Sequence, residues 1–123
     1  MAVVPQFSSE TRCQQTADRG RGTIRIGLLG LGQVGSALAR LILARPRTGD
    51  VRTEITTALV RDPVRPRATV GVADTCDPDT VFDTQPTVIV EALGGLEPAR
   101  TLVLEAIARG IPVVTANKSL LAH

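Results

Sequence analysis

The stretch TIRIGLLGLGQVGSALARLILA, residues 23–44, decides the fold. Thr23 to Leu29 alternates, then runs apolar and stops at Gly30, the pattern of a strand buried on both faces of a parallel sheet. From Val34 the apolar positions Val34, Ala37, Leu38, Leu41 and Ile42 recur at helical spacing, and Pro46 and Gly49 end the run. Between strand and helix lies Gly30-Leu31-Gly32-Gln33-Val34-Gly35, a G-x-G-x-x-G in the one context that gives the pattern meaning. In such a turn Gly30 permits the tight reversal, Gly32 lets backbone approach a pyrophosphate, and Gly35 lets helix and strand pack closely. The N–H groups of Leu31 to Val34 then face the phosphates at the positive end of the helix dipole.

Outward from this unit, Glu54 to Val60 (EITTALV) is β-branched and reads as a second strand, closed by Pro63 and Pro66. Strand, helix and strand make a βαβ unit with a right-handed crossover. Residues 61–86 carry four prolines and one short apolar run, Val70 to Ala73, and no firm element follows from them. Thr87 to Ala92 (TVIVEA) is another buried strand, released by Gly94-Gly95 into a helix whose start is favoured by Glu97 and by Pro98 in its first turn. That helix carries the stripe Ala99, Leu102, Val103, Ala106 and Ile107 and stops at Gly110; Val113 and Val114 begin a last short strand. The expected class is α/β: a Rossmann-type, doubly wound, mainly parallel sheet with helices on both faces, incomplete at this length.

Composition narrows the function. The 123 residues are 43% hydrophobic and 21% charged, which fits one soluble globular domain, expected at 23–123 behind a disordered leader, 1–22. A net charge of +2 and an aromatic set of Phe7 and Phe82 argue against nucleic acid as a partner. No apolar run suits a secretory signal or a membrane span, so a cytoplasmic location without membrane association is expected. Cys13 and Cys76 show no metal-ligand spacing and read as free thiols; no metal site is expected. His123, the last residue of the sequence, is set aside as an acid–base candidate.

The residue that selects the cofactor belongs at the end of the second strand, which reads Val60-Arg61-Asp62. Arg61, with Arg65 and Arg67 after it, offers a guanidinium to a ribose 2′-phosphate, an arrangement that leans to NADP and leaves NAD open. Asp50 precedes the strand and belongs to its wrong edge.

Three stretches taken together, GLLGLGQVGSALARLIL, the VRDP after the second strand, and VIVEALGGLEPARTLVLEAIARGIPVVTANKSLLA, resemble the cofactor-binding domain of homoserine dehydrogenases in order and interval, over residues 24–123. The resemblance implies NAD(P)-dependent interconversion of L-homoserine and L-aspartate 4-semialdehyde, in the route to threonine, methionine and isoleucine. It implies cofactor contacts from Gly30, Leu31, Gly32, Gln33, Val34, Gly35, Arg61, Leu93, Gly94 and Lys118, and places Glu91 to Gly95 at the strand end that borders the cofactor. It makes Lys118, the lone lysine, the catalytic candidate beside the nicotinamide, stabilising developing alkoxide charge or holding the cofactor amide. It also implies a separate substrate and dimerisation domain, a homo-oligomeric full-length enzyme, and no turnover by these residues alone. A stand-alone dinucleotide sensor, or the cofactor domain of another semialdehyde or amino-acid dehydrogenase, are the other readings of the same turn.

Overall fold

The structure is a computed structural model that describes residues 22–45, 51–62 and 71–122. The leader up to residue 21, Cys13, Pro46, Gly49, Asp50, Pro63, Arg65, Pro66, Arg67 and His123 lie outside the described residues. Five strands form one sheet: β1 (Thr23–Leu29), β2 (Arg52–Leu59), β3 (Asp74–Thr75), β4 (Val88–Glu91) and β5 (Val113–Thr115). Their order is β3-β2-β1-β4-β5 and every pairing is parallel. Among the described residues four helices connect or follow them: α1 (Gln33–Ala44), α2 (Pro78–Asp83), α3 (Ala99–Ala108) and α4 (Lys118–Leu121).

The expected doubly wound class holds. Two apolar clusters, one on each face of the sheet, account for it. Ile26, Leu28, Ala58 and Val60 pack with Leu31 and Ala39 under α1, while Leu29, Leu59 and Ile89 pack with Val81, Phe82, Leu102 and Ala106 under α2 and α3. Successive strand residues therefore serve opposite clusters, which is why β1 and β4 read as continuous apolar runs. The chain winds from β1 outward to β2 and β3, then returns to place β4 on the other side of β1. Between β1 and β4 the winding reverses, and at the carboxyl ends of these strands such sheets open a crevice.

The register of β1 against β2 slips once. Ile26 pairs with Ile55 and Gly27 with Thr57, so Thr56 is an extra residue in β2. Its hydroxyl donates to the Ile26 carbonyl at 3.2 Å and lies 2.8 Å from the Thr84 hydroxyl.

Four details of the elements differ from the sequence reading. The buried face of α1 is Gly35, Ser36 and Ala39, flanked by Leu38 and Ile42, whereas Val34 and Leu41 are 59% and 68% exposed. The face is set by the smallest side chains rather than the largest, because Gly35 has to press against the end of β1. Ile107, placed in the α3 stripe, is exposed as well, and Pro98 sits at the N-cap instead of in the first turn. Within residues 61–86 the chain forms β3 and α2. The β3 strand is held by main-chain bonds from Ala58 N to Ala73 O (2.9 Å) and from Val60 N to Thr75 O (2.8 Å). Asp77 caps α2 by accepting from Asp79 N at 3.0 Å, with Pro78 at the helix start.

Candidate functional site

The loops at the carboxyl ends of the strands, and the first turns of the helices that follow them, carry every described candidate residue. Gly30 has φ +106°, a left-handed conformation that favours glycine, and a Cβ there would stand 2.7 Å from the Ala92 carbonyl oxygen. A Cβ on Gly35 would stand 2.0 Å from the Gly30 carbonyl oxygen, so helix α1 can start this close to β1 only with glycine at that position. The turn is further fixed by Gly30 N donating to Leu59 O (2.9 Å) and by the Ser36 hydroxyl donating to Leu31 O (2.9 Å).

Gly32 differs from both. It is exposed, its φ is −76°, and a Cβ there would meet nothing within 4 Å. Among the described residues nothing demands a glycine at the N-cap of α1, and no side chain caps that end. The first N–H groups of α1 therefore open onto a cradle that a Cβ would begin to fill, with the geometry of an anion site.

On one side of this turn, Arg61 follows β2 with its side chain exposed, and its carbonyl accepts a weak bond from the Cys76 thiol at 3.8 Å. Cys76 is free and exposed.

On the other side, the ends of β4 and β5 are tied together by the side chain of Glu91, to which the resemblance gives a place at the strand end bordering the cofactor but no role of its own. Glu91, the last residue of β4, is 1% exposed. Its Oε2 accepts from Leu93 N at 2.8 Å and Gly94 N at 3.3 Å, and its Oε1 accepts from the Thr115 hydroxyl at 2.5 Å. Asn117 Nδ2 adds a longer bond to Oε2 (3.5 Å) and donates to Gly95 O. Thr115 Oγ1 accepts from Asn117 N at 3.0 Å, while Asn117 Oδ1 accepts from Leu120 N at 3.3 Å and so caps α4. Lys118, exposed, is the first residue of that helix. The signal for this role of Glu91 is its place: an acid closing an otherwise apolar buried strand needs hydrogen-bond donors around it.

Leu93 and Gly94 lie in the turn after β4, where their N–H groups are occupied by Glu91, and Leu93 packs its side chain against the Leu29 cluster. Gly94 and Gly95 have φ +76° and +71°, which lets the chain turn sharply off β4. Among the described residues no group of three or more His, Cys, Asp or Glu could hold a metal, and no helix is long and apolar enough to cross a membrane.

A parallel sheet of this order, with a glycine turn from its central strand into a helix, defines a dinucleotide-binding α/β domain of Rossmann type. Comparison with known proteins narrows the class: residues 30–123 match the family model for the NAD-binding domain of homoserine dehydrogenase, and the chain belongs to that family. The homoserine dehydrogenase of Synechocystis sp. is 38% identical over 106 residues, which are 82% of this chain and 24% of that protein. Among solved structures, the Thiobacillus denitrificans homoserine dehydrogenase is 41% identical with a TM-score of 0.71 over 81% of this chain and 25% of that one. The S. aureus enzyme at pH 7.0 is 31% identical with a TM-score of 0.73, covering 80% and 27%. The chain spans about a quarter of the length of the curated relatives it matches.

Proposed function

We propose that this chain is the cofactor-binding part of an enzyme that interconverts L-homoserine and L-aspartate 4-semialdehyde, and that it takes NADP in preference to NAD. The observation that carries the reading is the glycine turn: Gly30 and Gly35 are required by the protein's own packing, whereas Gly32 is left open where a pyrophosphate would approach. Leu31, Gly32, Gln33, Val34 and Gly35 would hold the phosphates through main-chain N–H groups at the start of α1. Arg61, at the end of β2, would pair with a 2′-phosphate on the adenosine side. The nicotinamide half would then fall on the other side of β1, against Leu93, Gly94 and Lys118.

The cofactor, when bound, supplies or accepts the hydride. Lys118 would offer an ammonium toward the substrate oxygen, which becomes negative as an aldehyde is reduced, and such a group lowers the barrier only if it is already in place. Orientation of the substrate is outside what these residues supply, so the 123-residue chain alone should show no turnover.

Fluorescence titration of the purified chain with NADPH, and separately with NADH, tests the binding claim; the absence of Trp and Tyr removes the usual protein background. Tight NADPH binding with much weaker NADH binding is expected. Equal affinity would remove the role of Arg61, and no binding of either would remove the proposal. Homoserine-dependent NADPH formation by the chain alone would overturn the expectation of inactivity.

A further inference from the structure

We infer that Glu91 is a positioning residue: its buried carboxylate locks the turn after β4 to the turn after β5, so that the nicotinamide half of the cleft is assembled before a ligand arrives. This rests on the proposed dinucleotide site and adds to it a residue with no ligand contact of its own.

The bonds form closed circuits. Glu91 holds Leu93 N and Gly94 N of one turn with Oε2, and holds Thr115 of the neighbouring strand with Oε1. Thr115 in turn holds Asn117 N, and Asn117 reaches back to Gly95 O and to Glu91 Oε2. Lys118 follows directly on Asn117, whose side chain also caps the helix that Lys118 begins. Every atom of the carboxylate that can accept a bond is engaged, and each donor belongs to one of the two turns or to the strand end beneath them. A carboxylate is an acceptor only, so four donors converging on it leave no competing arrangement of the turns that satisfies the buried group equally well.

The circuit does not include the phosphate turn. Ala92, which packs beside both Gly30 and Gly35, is held separately by its N–H bond to Leu29 O at 2.7 Å, and of the circuit only Leu93 N comes near the turn, 3.0 Å from where a Cβ on Gly30 would stand. Loss of the Glu91 carboxylate should therefore loosen one half of the site and spare the other, which a general loss of folding would not do.

The test uses the 123-residue chain and two probes, NADPH and adenosine 2′,5′-bisphosphate, the latter carrying only the adenosine half. Glu91→Ala should lower NADPH affinity at least tenfold and abolish the change in nicotinamide fluorescence on binding, while adenosine 2′,5′-bisphosphate binds within about twofold of the unaltered chain. Glu91→Gln should recover most of the NADPH affinity, since its amide oxygen can still accept from Leu93 and Gly94 while its NH2 donates to the Thr115 hydroxyl. Asn117→Ala leaves Glu91 and the Thr115 bond to the residue 117 N–H in place but removes the side-chain bonds to Gly95 O and Glu91 Oε2; it should show the same selective loss to a smaller degree and serves if Glu91→Ala does not fold. Equal loss of both probes in Asn117→Ala and in a folded Glu91→Ala, or no loss of either, overturns the inference while leaving the proposed function standing. Failure of the unaltered chain to bind either probe overturns both.

Discussion

The two halves of the cleft are built from different materials. The half formed by β1, α1 and the end of β2 is made of main chain and glycine: Gly30 and Gly35 remove side chains so that strand and helix can touch, and Gly32 leaves an open cradle. The half formed by β4 and β5 is made of side chains, with Glu91, Thr115 and Asn117 bonded in circuits around two turns. The first half is specified by steric exclusion, in which one added carbon is decisive. The second is specified by polar satisfaction, in which the identity of a single buried group decides and several neighbours must agree with it.

The contrast can be broken by substitution. Gly35→Ala should have the largest effect: its Cβ would lie 2.0 Å from the Gly30 carbonyl oxygen, which α1 can relieve only by moving off the sheet. A loss of about 3 kcal/mol or more is expected in denaturant unfolding, enough to unfold a chain of this size. Arg61→Ala should weaken NADPH by about 1.5–3 kcal/mol, the range for a hydrogen bond to a charged group, and leave NADH unchanged. Paired titrations check this, and an equal fall for both cofactors would remove the 2′-phosphate from the explanation. Gly32→Ala sharpens the comparison within one motif, since it should leave the melting temperature nearly unmoved yet reduce dinucleotide affinity about tenfold, or ~1.4 kcal/mol. Thr115→Val, the smallest of the four, removes one donor to Glu91 and one acceptor for Asn117 N. About 1 kcal/mol of stability should be lost, read by thermal unfolding, with binding of adenosine 2′,5′-bisphosphate unaffected.

The same contrast explains what could be read from the residues alone. Steric exclusion leaves a local mark, and three glycines between an apolar strand and an apolar helix announce β1, the turn and α1. Long buried strands announce themselves equally, as TVIVEA does for β4. Polar satisfaction leaves almost none, because Glu91, Thr115 and Asn117 are 24 and 2 residues apart and meet only through the parallel pairing of β4 with β5. The β3 strand was invisible for a related reason: its two residues are placed by main-chain bonds to β2, which any side chain could accompany. Helix α2 did leave a signal in Asp77-Pro78, a capping residue followed by a proline suited to a helix start, within a segment whose prolines read as breakers. The face of α1 is not legible in its large apolar side chains, because the contact it makes requires small ones. Family membership follows from residues 30–123 as a whole, whereas the roles of individual residues depend on the cleft.

The extra residue in β2 has a consequence for how this strand can change. Ile55 and Ala58 pack in the same cluster although they are three positions apart, an odd spacing that an unbroken strand would send to opposite faces. Thr56 absorbs the difference. Deleting Thr56 would bring Ile55 and Ala58 two positions apart, so parity is preserved on both sides and only the threonine's own bonds are lost. Deleting Thr57 instead gives the same chain, since both residues are threonine, whereas deleting Ala58 or Leu59 would remove a buried side chain of the core itself. The strand therefore contains one position at which its length can vary by a single residue without turning it inside out, and that position lies five residues before the arginine at its end.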